Sequence, residues 1–545
     1  MQIACRPRAI LRRIRDAVVV CSLLSLCGCG GAARDSSVLR IGLGGAPSTL
    51  DPQRAADTYS LELLRDLYEG LTSESPSGQI VPGAAESWSV SDDGLTYTFQ
   101  LRTTARWSNG EALTSDDFVF ALRRAVDPRT AAPAADLLSL ITNAPEIVAG
   151  KVSPTALGVQ ALGDHALTIS LRRPAPYFSS VLANAIAYPV HRQSLQNFGE
   201  AFTKPGRLIS NGAYRLISEV PASNIRFERN PYYWDAATVA IRAVEFLPIA
   251  DVQSEFRQYR AGALDITATI PTSDLDWAKT NLAGELQVQP QLATIFIAFN
   301  AADGSLHERP RIAEALSLAV DRQALTMKVL RAGQVAAYSF VPIGIAGYTP
   351  QSYTWADEPH ADQLAQAREL YRAAGYSVAK PLRIRFLYSQ NEAIRNVAIA
   401  TAAQWKEALG VETELIDMEF RAFLAARHDR TRWDVIIDGW NADYADPGNF
   451  LELFKSGGVQ NDAGLADAEY DRLLDAAANE ASPEKRLTLL AEAEKRLLAD
   501  GAIAPLYFPV TRRLVKPYVD GAILNPMNHN YSKYLRLLSR PIPQS

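Results

Sequence analysis

Apolar residues at every second position mark a series of short strands along the chain. Leu39, Ile41 and Leu43 alternate with polar or small residues; Leu95, Tyr97, Phe99 and Leu101 do so after an Asp92-Asp93-Gly94 turn; Leu167, Ile169 and Leu171 repeat the pattern, as do Ile225 and Phe227. Spacings of three and four predict a helix over 60–68, where Leu61, Leu64 and Tyr68 share a face before Gly70. They predict another over 118–126, capped by Thr114-Ser115-Asp116-Asp117 and ended before Pro128. From Ile241 onward strands and helices alternate: strands over 241–247, 263–266 and 295–300, and a helix over 251–261. Helices follow over 311–330, 363–374, 393–409 and 483–500. The last three stop at Gly375, Gly410 and Gly501, and Ser482 N-caps the last. Strands at 382–387, 411–416 and 502–510 lie between them, and the tail to Ser545 reads as irregular. Such alternation with short connections favours α/β lobes with mainly parallel sheets. The β-rich block near the start reads as a separate α+β unit inserted after the first strand.

One stretch differs in character. The apolar run Val435-Ile436-Ile437 predicts a buried strand, and it leads into Gly439-Trp440-Asn441-Ala442-Asp443-Tyr444-Ala445-Asp446-Pro447-Gly448-Asn449-Phe450, a polar and aromatic loop from which a helix departs. In open α/β sheets the crevice beyond the carboxyl ends of the strands is where ligands bind. An aromatic cleft with one desolvated carboxylate suits an ammonium group, so Asp443 between Trp440 and Tyr444 describes a site for a zwitterion such as a peptide. The second aromatic loop, Tyr232-Tyr233-Trp234, has a similar composition. A bland reading stays open on the residues alone: Asp443 in an Asx-turn and Trp440 in the core at a strand end.

Composition adds bounds. A chain of 545 residues, 48% hydrophobic and 21% charged, is an ordinary globular protein too long for one core. Its first residues are different: five arginines (Arg6, Arg8, Arg12, Arg13, Arg15) precede a short apolar run, 17–26, which fits the h-region of an export signal and is too short to span a bilayer. Leu26-Cys27-Gly28-Cys29 resembles a lipobox with Cys29 as acceptor; a plain cleaved signal is the alternative. All four cysteines (Cys5, Cys21, Cys27, Cys29) lie at or before that point, so no disulfide framework is expected in the body. Loss of residues 1–28, with five Arg and one Asp, takes the net charge from −5 to −9, which argues against a nucleic-acid partner.

The common catalytic signatures are missing. The six histidines form no His-Glu-x-x-His or Cys/His group, no Gly-x-Ser-x-Gly elbow or Walker A loop occurs, and Gly42-Leu43-Gly44 lacks the rest of a dinucleotide fingerprint. No metal, cofactor or catalytic residue is expected.

Several stretches in order carry a family resemblance: Ser48-Thr49-Leu50-Asp51-Pro52, Leu67-Tyr68-Glu69-Gly70-Leu71, Val81-Pro82-Gly83-Ala84-Ala85-Glu86-Ser87-Trp88, Trp107-Ser108-Asn109-Gly110, Asn211-Gly212-Ala213-Tyr214, Arg229-Asn230-Pro231-Tyr232-Tyr233-Trp234, Ala319-Val320-Asp321-Arg322 and the Asp443 loop. Together they resemble the extracytoplasmic solute-binding proteins of peptide ABC transporters (bacterial solute-binding protein family 5), and the oligopeptide branch in particular. The resemblance implies an α/β type II periplasmic-binding-protein fold, two lobes with a hinge plus an additional α+β domain. The expected division is 1–28 signal peptide, 29–71 and 206–300 lobe I, 72–205 the inserted domain, 301–505 lobe II, and 506–545 a return to lobe I.

It further implies a non-enzymatic, monomeric receptor that closes on an oligopeptide and hands it to permease subunits. The receptor would be exported to the periplasm and membrane-anchored as a lipoprotein through Cys29. Asp443 would pair with the peptide's α-ammonium, with Trp440, Asn441 and Tyr444 around it and Arg427 near the peptide's carboxylate. Ile437 departs from the pattern, standing where that branch often has an arginine. Asn441 and Leu292-Ala293-Thr294 lack the cysteine pair of some relatives. Another cargo on the same fold (a dipeptide, nickel chelate, opine or sugar) and an exported hydrolase are the alternatives.

Overall fold

The computed structural model describes residues 37–301, 306 and 311–539; the signal segment, its arginines and Cys29 lie outside the described residues. Three sheets organise the chain. The first has four strands in the order Val38–Gly42, Ala243–Leu247, Asn224–Arg229 and Tyr214–Val220. Its first strand is therefore separated in sequence from its partners by a unit with a sheet of its own, Ala85–Val90, Thr96–Leu101, Ala166–Ser170 and Val159–Ala161, antiparallel throughout. One continuous core joins this inserted unit to the first sheet: Leu63, Leu67, Phe99, Phe118, Ile169, Phe178 and Phe227 are all fully buried in it. Gly212 fits at their seam because a Cβ there would lie 2.5 Å from the backbone of Leu67.

The third sheet has six strands, in the order Val335–Ala336, Ile503–Phe508, Ala293–Phe299, Val435–Asn441, Arg383–Ser389 and Glu412–Met418. Separate cores cover its two faces, one holding Ile297, Trp405 and Ile437, the other Phe296, Ile436, Trp433 and Leu497. The sheets are mixed rather than mainly parallel: in the six-stranded sheet Ala293–Phe299 runs antiparallel to both neighbours and only the pairs made by Arg383–Ser389 are parallel, and in the first sheet only Val38–Gly42 and Ala243–Leu247 pair in parallel. Periodicity reports which face of a strand is buried and carries no strand direction, which is why alternation alone suggested the wrong sense. Ala293–Phe299 also pairs across residue 300, the expected end of the lobe I segment, so the six-stranded sheet draws on both sides of that boundary.

The helices His360–Ala373, Glu392–Leu409 and Pro483–Asp500 match the spacing closely, and Gly410 ends the second with φ +79°. The expected helix 311–330 is broken instead. Ile312–Leu318 ends, and Asp321 N-caps a new turn by accepting from the Ala324 amide. Fully buried Arg322 donates to the carbonyls of Ser317 and Pro505 at 2.9 and 2.7 Å. That guanidinium ties the end of Ile312–Leu318 to the strand Ile503–Phe508, among the rings of Tyr338, Tyr353 and Trp355.

Candidate functional site

The run Val435–Asn441 places its apolar residues alternately in the two cores: Ile436 on one face, Val435 and Ile437 on the other. The parallel strands Arg383–Ser389, Glu412–Met418 and Val435–Asn441 end on the same edge of the sheet, and the Asp443 loop leaves from there. The departing helix is short, Gly448–Leu451 followed by a tight turn through Phe454. Asn449 shapes the loop. Its Oδ1 accepts from Trp440 Nε1 at 2.9 Å and from the Asp443 backbone amide at 3.1 Å, so Trp440 is fastened and half-buried while Asp443 projects outward. Asn441 stands exposed opposite Ala293 in the ladder.

Asp443 is exposed and pairs with no cation among the described residues. Protein atoms crowding the carboxyl push its pKa above the usual range, the Asn449 amide opposes this, and the charge of Asp136 on the inserted unit adds to the rise. Tyr444 faces the inserted unit too. Its ring lies parallel to that of Tyr177, centroids 4.8 Å apart. Two residues on, buried Asp446 accepts both Nη1 and Nη2 of buried Arg486 at 2.7 and 2.8 Å.

Arg427 has a different setting. Its Nη1 lies 3.1 Å from Asp438, its Nε 3.2 Å from Asp462 and its Nη2 donates to Gln460 at 3.1 Å, so its charge is met from within the protein. Burial pushes Asp438 up to about 6 against the pull of Arg427, and Asp462 is raised for the same reason. Ile437 is 1% exposed and opposite Ile297 inside the core. The Tyr232-Tyr233-Trp234 loop is structural: Tyr233 Oη and Trp234 Nε1 each donate to buried Glu69 at 2.6 Å, and Lys533 from the C-terminal segment completes the ion pair at 2.8 Å.

Of the residues singled out from sequence, the structure therefore gathers Trp440, Asn441, Asp443 and Tyr444 in one loop and sets Arg427 apart in an ion-pair cluster. Sequence reasoning missed Asn449, Asp136, Tyr177, the Asp446–Arg486 pair and Asp438. Of these, the Pro447-Gly448-Asn449 turn alone carried a local signal.

Residues 79–462 match the model of the bacterial extracellular solute-binding proteins, family 5 Middle. The chain is 36% identical to the "Periplasmic murein peptide-binding protein MppA" of Escherichia coli K12, with 90% of this chain and 91% of that protein covered. Among solved structures, it superimposes on "MppA Periplasmic Murein Tripeptide Binding Protein, Unliganded Open Form" with a TM-score of 0.84 at 36% identity, covering 93% of this chain and 98% of that one. On "Crystal structure of Haemophilus influenzae OppA complex with RPPGFSPFR" the TM-score is 0.75 at 35% identity, covering 93% and 99%.

Proposed function

The chain belongs to the bacterial extracellular solute-binding proteins of family 5, and from that premise we propose that it is the peptide-capturing receptor of an ABC importer. It binds an extracytoplasmic oligopeptide between its two lobes, closes on it, and delivers it intact to permease subunits in the membrane. The observation that carries the reading is the Asp443 carboxylate, held outward by Asn449 at the carboxyl edge of the six-stranded sheet with no cationic partner among the described residues. A peptide's α-ammonium supplies the missing charge, and strand-like backbone bonds to both lobes leave side-chain identity open. Closure is a population shift driven by contacts to both lobes. Export to the periplasm, anchoring through a lipid on Cys29, the monomeric state, the absence of catalysis and the division 29–71, 72–205, 206–300, 301–505 and 506–545 are parts of the same proposal. Arg427, whose charge Asp438 and Asp462 already meet, shapes that wall of the sheet in this reading, and the peptide's carboxylate finds its partner elsewhere.

Native mass spectrometry of the protein as purified, followed by incubation with mixed peptides, tests the reading: retained peptides of unchanged mass are expected. Shortened fragments would indicate a hydrolase, and a non-peptide ligand would redirect the cargo. A pH series tests the charge at its centre. The ammonium needs an ionised Asp443, so binding of free-amino peptides is full above the raised pKa of that carboxyl and fades as pH falls through it. Asp136→Asn removes one cause of the rise, so the acid limb moves to lower pH; an unmoved limb would contradict the facing of the two carboxylates.

A further inference from the structure

We infer that Tyr177, on the inserted unit, is a positioning residue for the Asp443 loop, so that a unit contributing none of the six strands beneath that loop takes part in ligand recognition. This rests on the reading of Asp443 as the ammonium anchor. The loop has two sets of restraints. Asn449 and the Asp446–Arg486 pair belong to its own sheet and helices and set its internal shape. Tyr177 is 7% exposed and reaches the loop from the inserted unit: the ring lies flat against Tyr444, the residue next to Asp443, and the Arg486 guanidinium sits 4.8 Å from the same ring. Tyr444 thereby packs against the core of the inserted unit and first sheet, although its backbone belongs to the other lobe. A second bridge, Arg173 to Glu452 at 3.3 Å, crosses the same seam. The loop is thus held against the inserted unit by the Tyr177–Tyr444 stack, by the Arg486 guanidinium over the same Tyr177 ring, and by one half-exposed ion pair. Of the stack and the ion pair, the stack is the stronger, because the ion pair is open to solvent and screened while the rings are largely covered. Without the ring the loop keeps its shape and loses its place, and the ammonium meets a carboxylate that is no longer aligned with the backbone contacts of the first lobe.

The test uses purified full-length protein and a random tri- to hexapeptide library, offered with free and with acetylated N-termini, and reads the ratio of free to acetylated peptide retained. Wild type retains mainly free-amino peptides. Tyr177→Leu, which keeps apolar volume in the core, and Tyr177→Ala lower the ratio by about three- to tenfold, the equivalent of one aromatic stack, while Tyr177→Phe keeps the wild-type ratio. A wild-type ratio in Tyr177→Leu, or an equal fall in Tyr177→Phe, would overturn the inference. Asp443→Asn separates the two levels of argument. If it lowers the ratio while Tyr177→Leu does not, the positioning role alone fails; if Asp443→Asn leaves the ratio unchanged, the ammonium reading fails and the positioning role with it.

Discussion

Asp443→Ala lowers the affinity for peptides with a free α-ammonium by about thirty- to several-hundred-fold and changes the affinity for the same peptides N-acetylated by less than about threefold. The difference follows from what each ligand loses. Truncating one partner of a desolvated charge pair costs about 2–4 kcal/mol, because the other charge is left buried without a counter-ion, and each 1.4 kcal/mol is a factor of ten. An acetylated peptide brings no charge to that position and gives up one neutral contact. Isothermal titration calorimetry on the peptide recovered with the purified protein measures both. Equal losses for the two forms would place the ammonium away from Asp443, and with it the orientation of the bound peptide.

Arg486→Met destabilises the lobe that carries the loop by about 3–5 kcal/mol, the largest stability effect expected of a single side chain near the site. Asp446 is 6% exposed and Arg486 4%, the pair is bidentate, and Asp446 also accepts from the Gly448 amide. Removing the guanidinium strands a carboxylate where water cannot reach it. Asp446→Asn in the same chain recovers most of the loss, because an amide carries no charge to be stranded. Urea unfolding followed by tryptophan fluorescence reads the effect as a shift of the transition assigned to this lobe, since a chain of several units does not unfold in one step. An unshifted midpoint in Arg486→Met would show that the pair is idle. This large cost is also why Tyr177, rather than Arg486, is the residue on which coupling across the seam can be measured.

Asn449 and Asp443 show how a short range of sequence sets a local chemistry. Trp440, Asp443 and Asn449 lie within ten residues, the strand before them is apolar at Val435, Ile436 and Ile437, and the turn residues Pro447 and Gly448 bring Asn449 back to the strand end. All of this is decided by neighbours in the chain. Tyr232-Tyr233-Trp234 shows the limit of the same logic. Its composition resembles that of the Asp443 loop, yet its polar atoms are spent on Glu69, 160 or so residues earlier, and the charge that balances them comes from Lys533. Composition cannot distinguish an aromatic that waits for a ligand from one that holds a buried carboxylate.

The sequence by itself determined the strands and helices with clear periodicity, the glycine stop at Gly410, the polar aromatic loop and the family to which it belongs, because each is written in spacings shorter than one element. Tertiary structure alone decided the rest. The sense of Ala293–Phe299 depends on its pairing with Val435–Asn441 and Ile503–Phe508. Arg427 lost its free charge to Asp438, a residue 11 positions away on another element, and to Asp462. The break near Arg322 depends on a carbonyl of Pro505. The stack of Tyr177 on Tyr444 joins residues 267 positions apart, one on the inserted unit and one in the loop after Val435–Asn441. Electrostatic and ring contacts act over a few ångströms, and only the folded chain brings such distant residues that close.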